Sequence, residues 1–197
     1  MAVTVPTALP ARIVLRRGVA YAIDIALAYG AFVGIQTALT PLRSRLGPLW
    51  MTSGPPFEGY IFLTISLPIW CYFTLCEGSR WQATVGKRLL GLQVVTVAGQ
   101  RVGWGRALLR TAVKLLPWDI AHLTVALPTP LFIDPETGAL DWTRGDFRLG
   151  FLLAYAVLAL TLVVVVRTPR RQALHDLAAG TVVVPVRDRD ERAEVAR

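Results

Sequence analysis

The chain alternates long apolar stretches with short polar ones. Four stretches come close to or exceed the roughly 20 mainly apolar residues that a bilayer-crossing helix needs. They cover residues 19–40, 60–76, 107–127 and 149–166. Lipid accepts only helices and closed barrels, because every backbone polar group must be satisfied internally. Helices are therefore expected for all four. The last stretch ends in Val163, Val164, Val165 and Val166. In water these would suggest a strand, but its length and lack of turn residues favour a helix in lipid. The first stretch is longer than the apolar core of a signal peptide, carries Asp24 and has no A-x-A-like site after it. An uncleaved first helix is expected.

The polar intervals differ in kind. Residues 81–90, W-Q-A-T-V-G-K-R-L-L, mix apolar positions with Lys87 and Arg88. That is the pattern of a helix lying on an anionic membrane surface. Residues 92–97 are β-branched, residues 98–100 supply a Gly turn, and residues 101–104 form a second short run. Together they predict a hairpin. A lone hairpin is marginal in water, so residues 181–186, T-V-V-V-P-V, are expected to add a third strand. The loop at 41–59 is rich in Pro and Gly and should be irregular. The loop at 128–148 carries Asp134, Glu136, Asp141 and Asp146. It reads as a solvated loop, with a cation-attracting vestibule as the sharper alternative. Residues 1–186 form one domain, and the charged tail at 187–197 should fray.

Composition supports the membrane reading. Of 197 residues, 54% are hydrophobic and 17% charged, against about 25% charged in an average soluble domain. That excludes a disordered chain and argues against an ordinary soluble enzyme. The net charge of +8 is scattered between apolar segments, which weakens a nucleic-acid reading. The basic residues are unequally placed. Fifteen flank the spans on the side of the termini and of the 77–106 segment, and four lie on the other side. Cytoplasmic segments carry the excess of Lys and Arg, so both termini are placed on the cytoplasmic side of the plasma membrane; the use of 19 Arg against two Lys, with many Ala and Gly, points to a GC-rich bacterial genome. Lys87, Arg88, Arg170 and Arg171 then sit where anionic headgroups lie, each worth roughly 1 kcal/mol. The fold class that follows is an all-α membrane protein. It has four transmembrane helices, N-in and C-in, with a small cytoplasmic β-hairpin plus a C-terminal strand.

Little of the residue chemistry points to catalysis. Cys71 and Cys76 would point about 140° apart on a helix, so no disulfide is expected. No metal-ligand spacing, cofactor motif or activated nucleophile is evident. Gly86-Lys87 fails the phosphate-loop pattern on both sides. The chain is read as a non-enzyme.

The charges inside the spans are more informative. A carboxylate in a span costs about 2.5–3.5 kcal/mol on insertion scales, so Asp24 needs a partner. Arg17 lies seven residues earlier on nearly the same helix face, but about 10 Å away along the axis. Counted from the cytoplasmic side, Asp24 is about 9 Å deep, with Arg110 and Lys114 about 6 and 12 Å deep. An interhelical pair of Asp24 with Arg110 or Lys114 is therefore expected. It could be a buried pair that fixes helix register, or an ion- or proton-binding carboxylate. Asp119 and His122 share a helix face, and Pro117 invites a kink. They could form a proton relay or a hydrogen-bonded polar pair. Asp176, beside His175, is expected to pair with Lys87 and Arg88 and tie the C-terminal segment to the hairpin.

Four blocks carry a family resemblance. They are R-R-G-V-A-Y-A-I-D at 16–24, E-G-S-R-W-Q-A-T-V-G-K-R-L-L-G-L-Q-V-V at 77–95, G-R-A-L-L-R at 105–110, and R-R-Q-A-L-H-D-L-A-A-G-T-V-V-V at 170–184. In this order they resemble the RDD family of bacterial membrane proteins, named for one arginine and two aspartates. The resemblance puts the arginine at Arg16 or Arg17 and the first aspartate at Asp24. It puts the second at Asp176, with Asp119 as competitor. It implies transport of a small ligand or cation, ion- or proton-coupled in some members. The chain departs from simple members in its loop after the third span and in Pro117-Trp118-Asp119-x-x-His122. The alternative function is a membrane adaptor that binds partners or anionic lipid through its basic cytoplasmic face. Four helices are few for a carrier, so transport would imply a homo-oligomer.

Overall fold

The computed structural model describes residues 3–46, 59–126 and 145–186. The long helix α1 runs Arg12–Leu46. A π-helical turn, Phe62–Ser66, leads into α2, Leu67–Gly78. The short helix α3 is Val85–Leu89 and the strand β1 is Leu92–Thr96. Helices α4, Trp104–Ala126, and α5, Gly145–Arg167, follow. The chain then forms the short helix α6, Leu174–Ala179, and the strand β2, Thr181–Pro185.

Among the described residues, three helices are long and apolar enough to cross a membrane: Arg12–Leu42, Gly59–Gly78 and Leu149–Arg167. Their apolar side chains face outward, as Leu15, Leu152 and Tyr155 do with more than 60% of their surface exposed. A protein folded in water would bury such residues; in lipid they need no cover. The valine-rich end of the fourth predicted span is helical. Helix α4 has the length to cross, at about 1.5 Å per residue, but Arg106, Arg110, Lys114 and Asp119 interrupt its apolar character. It packs against α2, α5 and α6, while α1 packs against α3.

Two sequence expectations about boundaries are corrected. Helix α1 does not stop before Pro41 but continues through it to Leu46. A proline there loses one backbone hydrogen bond without ending the helix. The amphipathic segment at 81–90 is helical only over Val85–Leu89, and Lys87 is buried rather than spread on a surface. The remainder of the 41–59 loop, most of the 128–148 loop with Asp134, Glu136 and Asp141, and the tail at 187–197 lie outside the described residues.

The sheet has two strands, β1 and β2, antiparallel and in register from Leu92 opposite Pro185 to Thr96 opposite Thr181. The expected hairpin is reduced to one bridge, Val95 to Arg101. Helix α4 begins three residues after Arg101, which leaves no room for a longer second limb. The C-terminal strand was expected as a third member and is instead the main partner. Leu92, Val94, Val95, Val182, Val183 and Val184 form a buried core with Leu9, Ile13 and Ala20. This core fastens the start of α1 to the sheet. Helix α6 ends at Gly180, whose φ of 61° suits the left-handed helix cap that glycine adopts without strain. The chain can then turn at once into β2.

A buried carboxylate and an ionic cluster

Asp24 is fully buried on α1. Its partners all come from α2 and the entry to α3. The Tyr72 hydroxyl donates to Oδ1 at 2.6 Å and the Thr84 hydroxyl to Oδ2 at 2.6 Å. The backbone N–H of Gly86 donates to Oδ1 at 2.8 Å. Tyr72 in turn accepts from the Val85 N–H at 3.0 Å. Thr84 caps α3 by accepting from the Lys87 N–H. The capping threonine therefore makes one bond to the carboxylate and accepts one from the helix at once. None of the three donors to Asp24 is a cation.

The expected pair of Asp24 with Arg110 or Lys114 is thus absent from the described residues. Those cations are engaged by Glu77, at the end of α2, which the sequence reading did not select. Glu77 Oε1 accepts from Lys87 Nζ and Lys114 Nζ, each at 2.8 Å. Its Oε2 accepts from Arg110. Lys114 Nζ also lies 4.0 Å from the centre of the Phe73 ring, a cation–π contact. The expectation rested on axial depth, and depth does not fix angular position. Glu77 lies on the helix that α4 packs against, and α1 instead meets α3.

Asp176 is the second buried acceptor of Arg110. Its Oδ1 accepts from Arg110 Nη2 at 2.6 Å and Nε at 3.1 Å. Its Oδ2 accepts from Arg17 Nη2 at 2.5 Å and from the Ala173 N–H at 2.9 Å. The last bond is the carboxylate half of a capping box for α6. The expected partners Lys87 and Arg88 are elsewhere. Lys87 is on Glu77, and the Arg88 guanidinium stacks 4.4 Å from the Trp81 ring centre. Arg17 also donates to the Arg171 carbonyl, and Arg16 donates to that of Leu90. Of the candidate headgroup residues, Arg171 turns onto the carbonyls of Leu9 and Val166. Arg170 is half-buried.

Asp119 and His122 take no part in this cluster. His122 Nδ1 meets the Trp118 carbonyl at 3.0 Å, and its ring packs 4.0 Å from the Trp118 ring. Intrahelical contact with Trp118 replaces the expected Asp119–His122 hydrogen bond. Cys71 and Cys76 are free thiols, and no metal-ligating cluster occurs among the described residues.

Burial alone would raise the Asp176 carboxyl, but Arg17 and Arg110 outweigh it and hold it well below the usual carboxylate range. Burial pushes the His175 imidazole well below its ordinary value, and the neighbouring Asp176 does not offset this. The two act in different pH windows. Below about 6.5 the unfolded chain takes up a proton that folded His175 refuses, so stability falls as pH drops, at up to about 1.4 kcal/mol per pH unit. The Asp176 contribution is present above about pH 3.9 and is lost only as pH falls through its depressed folded value. We predict that melting temperature in detergent declines from pH 6.5 to 5, and that His175→Gln flattens the decline. Parallel curves for the two proteins would refute a His175 origin.

Outward apolar helices around an internal ionic cluster define a helical membrane protein. The RDD family model matches residues 12–180, and the chain belongs to that family of membrane proteins. The match spans both the Asp24 site and the cluster. No match to the chain was found among curated proteins or among solved structures.

Proposed function

We propose that this protein is a cation carrier in which Asp24 exchanges a proton for a small cation. The observation that carries the reading is the partner set of Asp24. It is a fully buried carboxylate met by two hydroxyls and one N–H, with no ion pair among the described residues. A charge buried in a membrane without a counter-charge is costly and marks ion pathways. Protonation or cation binding neutralises it, which is the requirement for exchange. Had Lys114 stood beside Asp24, the site would already be neutral. In this reading Glu77 and Asp176 hold the surrounding helices, and Asp176 is the second aspartate of the family name, with Arg17 as the arginine.

The topology that fits is four spans, with α4 as the third, crossing the bacterial plasma membrane with both termini inside. Helix α4 crosses because its cations are matched by Glu77 and Asp176 rather than exposed to lipid. The adaptor alternative rests on a basic surface of Lys87, Arg88, Arg170 and Arg171. It is weakened because Lys87 points inward and Arg171 binds backbone. No catalytic step is assigned.

The test is sodium-driven proton flux in proteoliposomes, with wild type beside Asp24→Asn. Flux in wild type, reduced at least tenfold in correctly inserted Asp24→Asn, is the expected outcome. Equal flux in the two would remove Asp24 from the mechanism. No flux in either would favour the adaptor.

A further inference from the structure

A groove of about 110 Å³ runs between α1 and the second helical segment. Its walls include Ala28, Ala31 and Ile35 on α1, and Ile65, Pro68 and Tyr72 opposite. Asp24, Ala28, Ala31 and Ile35 follow the 4, 3, 4 spacing of one helix face. The groove therefore continues the face that carries Asp24, one turn beyond it. Tyr72 is part of the wall at the end nearest Asp24 in sequence along α1, and it donates to Asp24, which is fully buried and does not itself line the groove. Its other polar wall residue, Thr64, accepts from Gln36 at 3.2 Å and donates to the Tyr60 carbonyl at 2.7 Å. Between these ends the lining is apolar. Small side chains on α1 and the π-helical turn opposite leave this space unfilled.

We propose that the groove and Asp24 form one site for a hydrophobic organic ammonium, with a phenyl-sized or short alkyl body. This deepens the Asp24 carrier reading and rests on it for the charge. The groove is smaller than the closed apolar cavity of about 150 Å³ that holds benzene, but it is open along one side, so a short alkyl body fits within it and a phenyl ring fits with one edge projecting from the open side. The charge fits as well. An ammonium at the Tyr72 end meets the face of that ring and donates to Asp24 Oδ1 in place of the Tyr72 hydroxyl. After the exchange the Tyr72 oxygen still accepts from the Val85 N–H, while its hydroxyl proton loses its acceptor, a cost that the new ion pair must exceed. The buried carboxylate then gains the counter-charge it lacks. A lipid acyl chain would fill the apolar part equally well but supplies no cation, which separates the two occupants.

The probe is benzylammonium, with benzyl alcohol as its uncharged counterpart, titrated into protein in nanodiscs and read by calorimetry against empty nanodiscs. Wild type should bind benzylammonium at least tenfold more tightly than benzyl alcohol. Ala31→Leu, which fills the groove, should weaken benzylammonium at least tenfold. Asp24→Asn should abolish the preference for the charged probe. Equal affinity of wild type for the two probes would overturn the proposal and leave a lipid-filled crevice. So would an Ala31→Leu variant that binds as wild type does. The comparison of two probes on wild type needs no variant to fold. Sodium-driven flux without benzylammonium binding would sink this proposal alone. Binding without any flux would sink the carrier reading and leave the site standing.

Discussion

Replacing Glu77 with glutamine is expected to remove about 3–5 kcal/mol of stability. Glutamine keeps the shape of the side chain and removes only the charge. Three cations, Lys87, Arg110 and Lys114, then lose the carboxylate they share. Each is nearly or fully buried, with no more than 8% of its side chain exposed. Breaking a buried pair by removing one partner leaves uncompensated charge in a low-dielectric interior. Here a single change strands two charges at once, Lys87 and Lys114, while Arg110 keeps Asp176. Removing a cation as well should restore part of the loss, so Glu77→Gln with Lys114→Met is predicted to be more stable than Glu77→Gln alone. Equilibrium unfolding in mixed micelles measures both. A loss below about 1 kcal/mol would mean that the cluster is solvated.

The second large effect is expected at Gly86, and its cause is steric. A Cβ at this position would lie 2.1 Å from the Ala20 carbonyl oxygen and 2.9 Å from Asp24 Oδ1. Neither neighbour can give way cheaply, because one is helix backbone and the other is held by Tyr72 and Thr84. Gly86→Ala must therefore push α3 away from α1. Overpacking of this kind costs about 1–3 kcal/mol, and the displaced N–H forfeits a charge-assisted bond to Asp24. A total near 3 kcal/mol is predicted, and on the carrier reading proposed above Gly86→Ala also loses flux where it is still inserted. Thermal melts of the alanine variant within one degree of wild type would show that the α1–α3 contact is looser than described.

Most of the architecture was legible because lipid imposes a coarse rule. A helix in lipid must be long and apolar on its outside, and residues 19–40, 60–76 and 149–166 satisfy that rule in plain sight. The sheet was legible in part. The β-branched runs marked β1 and β2, while the reduction of the hairpin to one bridge depends on where α4 begins. The site was less legible. Counting residues gives depth along the membrane, so Asp24 and Arg110 could be set at one level. Which cation faces which carboxylate depends on helix rotation and neighbour choice, which one sequence does not contain. Glu77 was hidden for a simpler reason. It stands one residue beyond the apolar run 60–76 and reads as a boundary residue. The available signal was numerical: Arg110 and Lys114 in one helix need more negative charge than Asp24 alone provides. Tyr72 and Thr84 gave no sign, since hydroxyls in such positions are common.

The order in which the chain is synthesised gives the cluster one more consequence. Helix α4 emerges with Arg110 and Lys114 when only Glu77 exists to receive them. Asp176, the other acceptor of Arg110, comes 66 residues later, and its bond to Arg17 closes a separation of 159 residues. Until α6 is made and docked, Arg110 is half-compensated and Arg17 lacks its carboxylate. Helix α6 therefore completes the charge matching of both arginines, and a chain cut before it would leave Arg17 without its carboxylate and Arg110 with Glu77 alone.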